Sequence, residues 1–435
     1  MRQFNYESVE MDMALPGAGA PREDGVVRND VVVNERRYRK PVRTTVVVCF
    51  DGCDPGYIEA ATRAGMTPTL DRMRREGFDA LADAAMPTFT NPNNVSIVCG
   101  APPAVHGVAG NFYLDRATGE TVMMLDAALM RAPTILAGLA GIGSRVAVVT
   151  AKDKLRKALA FELTGIAFSA ERAEGTSLEE HGIDNAAGFL GLAKPDQYSA
   201  ELSLYVLDAG IKLIEADRAD VLYLSLSDYV QHKHAPEAPE ALAFMGKVDA
   251  RLARMIALGA VVGVTADHGM SDMAGADGAP RVTYLGDVLD TAFGAGATRV
   301  ICPITDPFVR HHGALGGFVR VHVLKDGIDP EAVRAIVAAQ PGVELVLSGA
   351  EAARRFEMPE DREADFVAIG AAGTALGARA SDHDVGQLAG ERLRSHGSLS
   401  EQRVPFILSH PLTGAADTAR LRNFDIFDFA LNRVE

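Results

Sequence analysis

Six residues of two chemical types recur where apolar runs end. Asp51 closes TTVVVCF (44–50). Asp228 follows ADVLYLSLS (219–227), and His232 lies four residues further on, so one helical turn puts both on the same face. Asp267 and His268 end GAVVGVTA (259–266), and His396 sits in RSHGS (394–398), just ahead of RVPFIL (403–408). Three carboxylates with three imidazoles make a ligand set for two divalent cations; such donors suit Zn2+ and also admit Mn2+ or Fe2+. Two cations about 3.5–4 Å apart can clamp both the attacking and the leaving group of a displacement at phosphorus. Each piece has a plainer reading alone: an Asp after a strand commonly caps a helix or turn, and a lone DxxxH is a weak ligand pair. What carries the metal reading is that all of them fall on one predicted edge.

A nucleophile candidate lies in MPTFTNPNNVSIVCG (86–100). Pro92 followed by an amphipathic run predicts a helix starting near residue 92, with Asn91 as its N-cap. Thr90 would stand at that helix N-terminus, where the dipole favours an alkoxide and a neighbouring metal can activate the hydroxyl. On this fragment alone, Thr88 or Thr90 acting as a simple cap is the commoner outcome. Lys152 and Lys154, in TAKDKLRK (150–157), follow the strand RVAVVT (145–150) at the same edge. Solvated lysines are the default there, but two cations beside a metal pair would suit a substrate with a second anionic group.

The elements that must position these residues are short β-branched runs alternating with helical stretches at 56–77, 198–216 and 238–257. That alternation predicts an α/β fold with a mostly parallel sheet flanked by helices, and open sheets of this kind place sites beyond their strand carboxyl ends. After Met270 the texture changes to glycine-rich turns, a strand GFVRVHVL (317–324) and a helix near 330–339. This predicts a smaller α+β cap over 275–385, inserted in a core formed by 41–274 and 386–435, with an N-terminal arm over 1–40. GLAGIG (138–143) precedes a strand instead of following one, so it fails as a dinucleotide fingerprint.

The chain has 435 residues, 48% of them hydrophobic, which is enough for a large buried core. Its formal net charge of −15, with no basic stripe, argues against nucleic acid and anionic lipid as partners. An anionic substrate must therefore be drawn in locally. The N-terminal segment has acidic residues where a signal peptide needs an apolar stretch, and no window reaches the length of a membrane span, which points to a cytoplasmic protein without a membrane partner. Cys49, Cys53, Cys99 and Cys302 form no CxxC pair and read as free thiols.

Several segments resemble the alkaline phosphatase superfamily, in its nucleotide pyrophosphatase/phosphodiesterase-like branch, and closely resemble the phosphonoacetate hydrolase family. They are CFDGCDP (49–55), MPTFTNPNN (86–94), GAPPAVHGVAGN (100–111), TAKDKLR (150–156), SDYVQHKHAP (227–236), TADHGM (265–270), ITDPFVRHHGALGG (304–317) and RSHGS (394–398). They run in the family's order over almost the whole chain except the N-terminal arm. The resemblance implies an alkaline-phosphatase-like core with a cap over the site. It also implies two zinc ions, one on Asp228, His232 and His396 and the other on Asp51, Asp267 and His268. Thr90 would attack phosphorus, Asn111 would help hold the phosphoryl oxygens, and Lys152 and Lys154 would bind the carboxylate of phosphonoacetate. His234, His311 and His312 are left as cap residues or as partners of the ligands, His106, His181, His322, His383 and His410 as structural or surface residues, and a homodimer is left open. The rivals are a phosphodiesterase or nucleotide pyrophosphatase with the same metal centre, a phosphate-shuttling mutase, which would favour a serine nucleophile, and a catalytically dead binding protein.

Overall fold

The computed structural model describes residues 29–124, 127–304, 314–388 and 390–434. In chain order its principal strands are β1 (Thr45–Cys49), β2 (Phe78–Asp83), β3 (Val146–Thr150), β4 (Ile166–Ser169), β5 (Val221–Ser225) and β6 (Val261–Thr265). These are followed by β7 (Thr298–Ile301), β8 (Phe318–Val323), β9 (Val343–Ser348), β10 (Phe366–Gly370) and β11 (Arg403–Leu408). Runs such as VVVC and VVGVT are β-branched and buried at every position, as expected of strands covered on both faces.

Seven strands form one sheet in the order β2-β11-β6-β1-β5-β3-β4. From β6 to β4 every pairing is parallel, and β11 runs antiparallel to both β6 and β2. Tyr223 faces Phe427 and Asn94 on one side of the sheet, whereas its neighbour Leu224 lies under Gly210 and Met255 on the other. Helices Glu201–Glu215 and Pro239–Ala257 therefore cover one face, and Thr90–Cys99 and Ile426–Asn432 the other.

The register decides where the site lies. Thr265 pairs with Cys49, Cys49 with Ser225, and Ser225 with Thr150, so β6, β1, β5 and β3 end at one level. Asp267, Asp51, Asp228 and Lys152 each follow two or three residues later, at a common edge.

A second, antiparallel sheet of order β7-β8-β10-β9 lies in the chain between β6 and β11. It has its own apolar cluster, including Phe318, Val319, Val321 and Ile369, which Phe89 and Met86 join from the main body. The sheet is also tied down by charge. Arg320, fully buried on β8, makes a two-pronged pair with Glu363 (2.8 and 2.5 Å) and donates to the Ala109 carbonyl at 3.2 Å. Arg362 donates to the Gly107 carbonyl at 2.6 Å.

Some expectations need correction. The helical stretch at 56–77 is two helices, Pro55–Arg63 and Pro68–Glu76, because Gly65 turns into the left-handed region and Pro68 starts the second. The helix expected near residue 92 begins at Thr90 with Phe89 as N-cap, so Asn91 lies inside its first turn. Strands β2 and β4 were absent from the sequence pattern. Within the segment read as an arm, Asp30–Val33 and Arg36–Arg39 form an antiparallel hairpin against the helix Ile426–Asn432. Among the described residues, no helix is long and apolar enough to cross a membrane.

Removing Glu363 would strand the Arg320 guanidinium in the interior. Glu363→Ala should destabilise the protein by about 3–5 kcal/mol, visible as a lowered urea midpoint; an unchanged midpoint would show that the pair holds nothing together.

Candidate metal and substrate site

Beyond the common strand edge, the six Asp and His residues gather into two buried triads, Asp228/His232/His396 and Asp51/Asp267/His268. Within each triad, one ligand atom from every residue lies within 4.8 Å of the others. His232 Nε2 is 2.8 Å from Asp228 Oδ2, across the single turn of helix Tyr229–Lys233. His268 Nε2 is 3.4 Å from Asp51 Oδ1 and 3.6 Å from Asp267 Oδ2. The rings of His268 and His396 stack at 3.5 Å between centroids and 8° between planes, which brings the triads side by side.

All three imidazoles are held in the same way. Nδ1 of His232 meets the Arg394 carbonyl at 2.7 Å, Nδ1 of His268 the Gly269 carbonyl at 2.8 Å, and Nδ1 of His396 the Thr88 carbonyl at 2.7 Å. A carbonyl oxygen only accepts, so each Nδ1 carries a proton and each Nε2 is turned toward its triad. Metal-binding histidines are oriented by this kind of contact. The donor set therefore fits two divalent cations.

The electrostatics point the same way. Burial raises the Asp51 carboxyl well above the ordinary carboxylate range, and the charges of Asp228 and Asp267 push it further. Burial raises Asp267 as well, although its neighbour His268 opposes the shift. His396 is held well below the ordinary imidazole value by burial, then by His268 and His232. A cluster of this kind favours cations over protons as its counter-charge.

Thr90 opens its helix directly beside the second triad, with Oγ1 3.2 Å from His268 Nε2. The hydroxyl thus points at the nitrogen that would face a cation. A pocket opens over it, lined by Thr90, Asn111, Lys152 and Lys154 among polar residues and by Phe89, Leu155 and Ile304 among apolar ones. Lys152 Nζ is 4.0 Å from Asp228 Oδ1. Burial lowers Lys154 to about 7, helped by Lys152, while Asp228, Asp51 and Glu171 pull the other way. Asn111 donates from Nδ2 to the Ile304 carbonyl at 3.2 Å, which fixes the amide and leaves its second N–H for another acceptor. All ten residues singled out from the sequence thus meet at one edge. His311 and His312 lie outside the described residues, and His234 lies with Nδ1 3.7 Å from Glu240.

Sequence reasoning missed the supports behind these groups. Asn94 donates to Asp267 Oδ2 and to the Thr90 carbonyl, both at 3.1 Å, while its oxygen accepts from Tyr223 and Ser225. Its spacing of four from Thr90 on one buried helix was the one signal available, and it does not reach Asp267. Glu401, fully buried, bonds Ser271 and Ser398 and so joins the loop after His268 to the loop after His396.

Comparison with known proteins adds the family. Residues 45–397 match the model of the type I phosphodiesterase/nucleotide pyrophosphatase family. A phosphonoacetate hydrolase from Sinorhizobium meliloti 1021, solved with phosphonoformate, is 48% identical; the match covers 92% of this chain and 98% of that one, with a TM-score of 0.88. The chain belongs to the phosphonoacetate hydrolase family. A second structure of the S. meliloti hydrolase, solved with phosphonoacetate, matches over the same shares at 47% identity and a TM-score of 0.88. Murine ectonucleotide pyrophosphatase/phosphodiesterase 5, at 18% identity, 89% and 94% coverage and a TM-score of 0.61, shares the fold of these hydrolases.

Asn94→Leu would release Asp267 while keeping a side chain of similar size on the buried helix. It should weaken divalent-metal affinity about 10–100-fold, measured by chelator competition. Wild-type affinity would show that Asp267 needs no such support.

Proposed function

We propose that the chain hydrolyses the carbon–phosphorus bond of phosphonoacetate, giving acetate and phosphate, with Thr90 as nucleophile and two zinc ions as cofactors. The observation that supports this best is the pairing of Thr90 beside two metal-type triads with Lys152 and Lys154 across one pocket. Asp228, His232 and His396 would hold one ion, and Asp51, Asp267 and His268 the other. When bound, the ions supply positive charge at the phosphoryl oxygens and favour the deprotonated form of a hydroxyl or water.

The protein's own groups account for the rest. Asn111 turns an N–H toward the phosphoryl group while Ile304 fixes its amide. Thr90 Oγ1 forms the new bond to phosphorus as the bond to carbon breaks. The electron pair passes to the α-carbon and spreads into the adjacent carboxylate as an enolate. Lys152 and Lys154 bind that carboxylate and stabilise charge that grows only as the bond breaks, where binding accelerates the chemical step. The Thr90 hydroxyl gives up its proton to water as it attacks, and the α-carbon takes one from water, which completes acetate. Water then hydrolyses the phosphothreonine, releasing phosphate and restoring Thr90. Phe89, Leu155 and Ile304 provide the apolar walls that keep these charges poorly screened.

Phosphate release from a panel of phosphonoacetate, other phosphonates, phosphate monoesters and diesters, with chelator controls, tests the assignment; preference for a diester would replace it with the phosphodiesterase reading. Thr90→Ala should lower turnover by at least about 10³-fold with near-normal metal content, and a wild-type rate would remove Thr90 from the mechanism. Lys152→Ala should cut phosphonoacetate kcat/KM about 10²-fold while an aryl phosphate loses much less. Equal losses on the two substrates would sink the carboxylate contact.

A further inference from the structure

Lys152 and Lys154 stand on a short stretch leaving β3, and Asp153 lies between them. The backbone N–H of Asp153 donates to Glu171 Oε2 at 2.9 Å. Glu171 is on the neighbouring connection, a 3-10 turn over Ala170–Gly175 that leaves β4, and its own N–H donates to the Ala151 carbonyl at 3.1 Å. One residue therefore grips the lysine stretch on both sides of Lys152. Ser169, the last residue of β4, donates its hydroxyl to Asp153 Oδ1 at 3.0 Å, and Arg172 of the turn lies 3.7 Å from Asp153 Oδ2. Thr150 holds the Lys152 carbonyl at 2.9 Å from the β3 side.

We propose that Glu171 is a positioning residue that sets the spacing and direction of the two lysines, and through them the preference for a substrate carrying a carboxylate. The proposal rests on the carboxylate-binding reading of Lys152 and Lys154. Glu171 does not line the pocket, so it acts through the backbone between the lysines. A carboxylate accepting from a helix-opening N–H is a charge-assisted bond at the positive end of the helix, which makes it directional. The charge of Glu171 also favours the protonated form of Lys154, and Glu171 belongs to neither metal triad. Two long flexible side chains can recognise one carboxylate only if their stems start from fixed points, and loss of that fixing costs rate through misplacement.

The experiment compares wild type, Glu171→Ala, Glu171→Gln and Lys152→Ala on phosphonoacetate and on an aryl phosphate without a carboxylate, with metal content measured for each. Glu171→Ala should lower kcat/KM for phosphonoacetate about tenfold relative to the aryl phosphate, with full metal content. Glu171→Gln keeps an acceptor for the Asp153 N–H and should restore much of the ratio. Should Glu171→Ala leave the ratio unchanged while Lys152→Ala lowers it, the positioning role is wrong and the carboxylate contact stands. Should Lys152→Ala also leave the ratio unchanged, the carboxylate contact fails and the role of Glu171 falls with it. An equal loss on both substrates by Glu171→Ala overturns the proposal as well, since it would mark a general structural effect.

Discussion

Three carboxylates, Asp51, Asp228 and Asp267, are buried side by side, and the rest of the site answers to their repulsion. In water such charges would interact weakly, but in a desolvated pocket each raises the cost of ionising the next. Burial raises both Asp51 and Asp267, and at Asp51 the charges of Asp228 and Asp267 add to it. The three imidazoles surround this charge, each turned by its Nδ1 contact with a backbone carbonyl so that Nε2 faces the carboxylates. The protein has thus fixed a concentration of negative charge and lone pairs that two divalent ions satisfy better than protons do.

Holding such a cluster requires a scaffold that cannot relax away from it. The level ending of β6, β1, β5 and β3 supplies the first constraint, since a slip of one residue would turn each following Asp to another direction. His396 arrives from elsewhere in the chain and needs separate anchoring. It has its contact with Thr88, the stack on His268, and the link through Glu401 to the loop after His268. The second sheet enters the same network through Phe89, which meets His396 at 5.6 Å and Phe318 at 6.1 Å between ring centroids.

Much of the fold was legible because fully buried strands are written as unbroken β-branched runs. The edge strands were not. Phe78–Asp83 reads FDALAD, with Asp79 at an exposed position and Asp83 at a half-exposed one, and Ile166–Ser169 is only four residues long. At the site, single residues at strand ends could be singled out because carboxylates and imidazoles are conspicuous after apolar runs. Asn94 and Glu401 could not, because their importance lies in partners distant in sequence, Asp267 and Ser271. Glu171 was invisible for the same reason: its bond to the Asp153 N–H exists only because β3 and β4 are neighbours.

In the proposed complex the charges close on themselves. Three aspartates and a fully ionised phosphonoacetate are balanced by two divalent cations and two ammonium groups. This resolves the tension between an anionic substrate and a chain of net charge −15. Attraction is confined to the pocket, and its two ends have different tasks. The metal end would grip a phosphoryl group whatever it is bonded to, so it cannot distinguish a phosphonate from an ester. The lysine end would provide that distinction, because only a leaving group with an adjacent carboxylate offers it charge in the transition state. Burial has already lowered Lys154 to about 7, and an arriving carboxylate would restore its protonated form. Selectivity for a carbon–phosphorus bond then reduces to how firmly two lysine stems are held, which is a property of the backbone behind them.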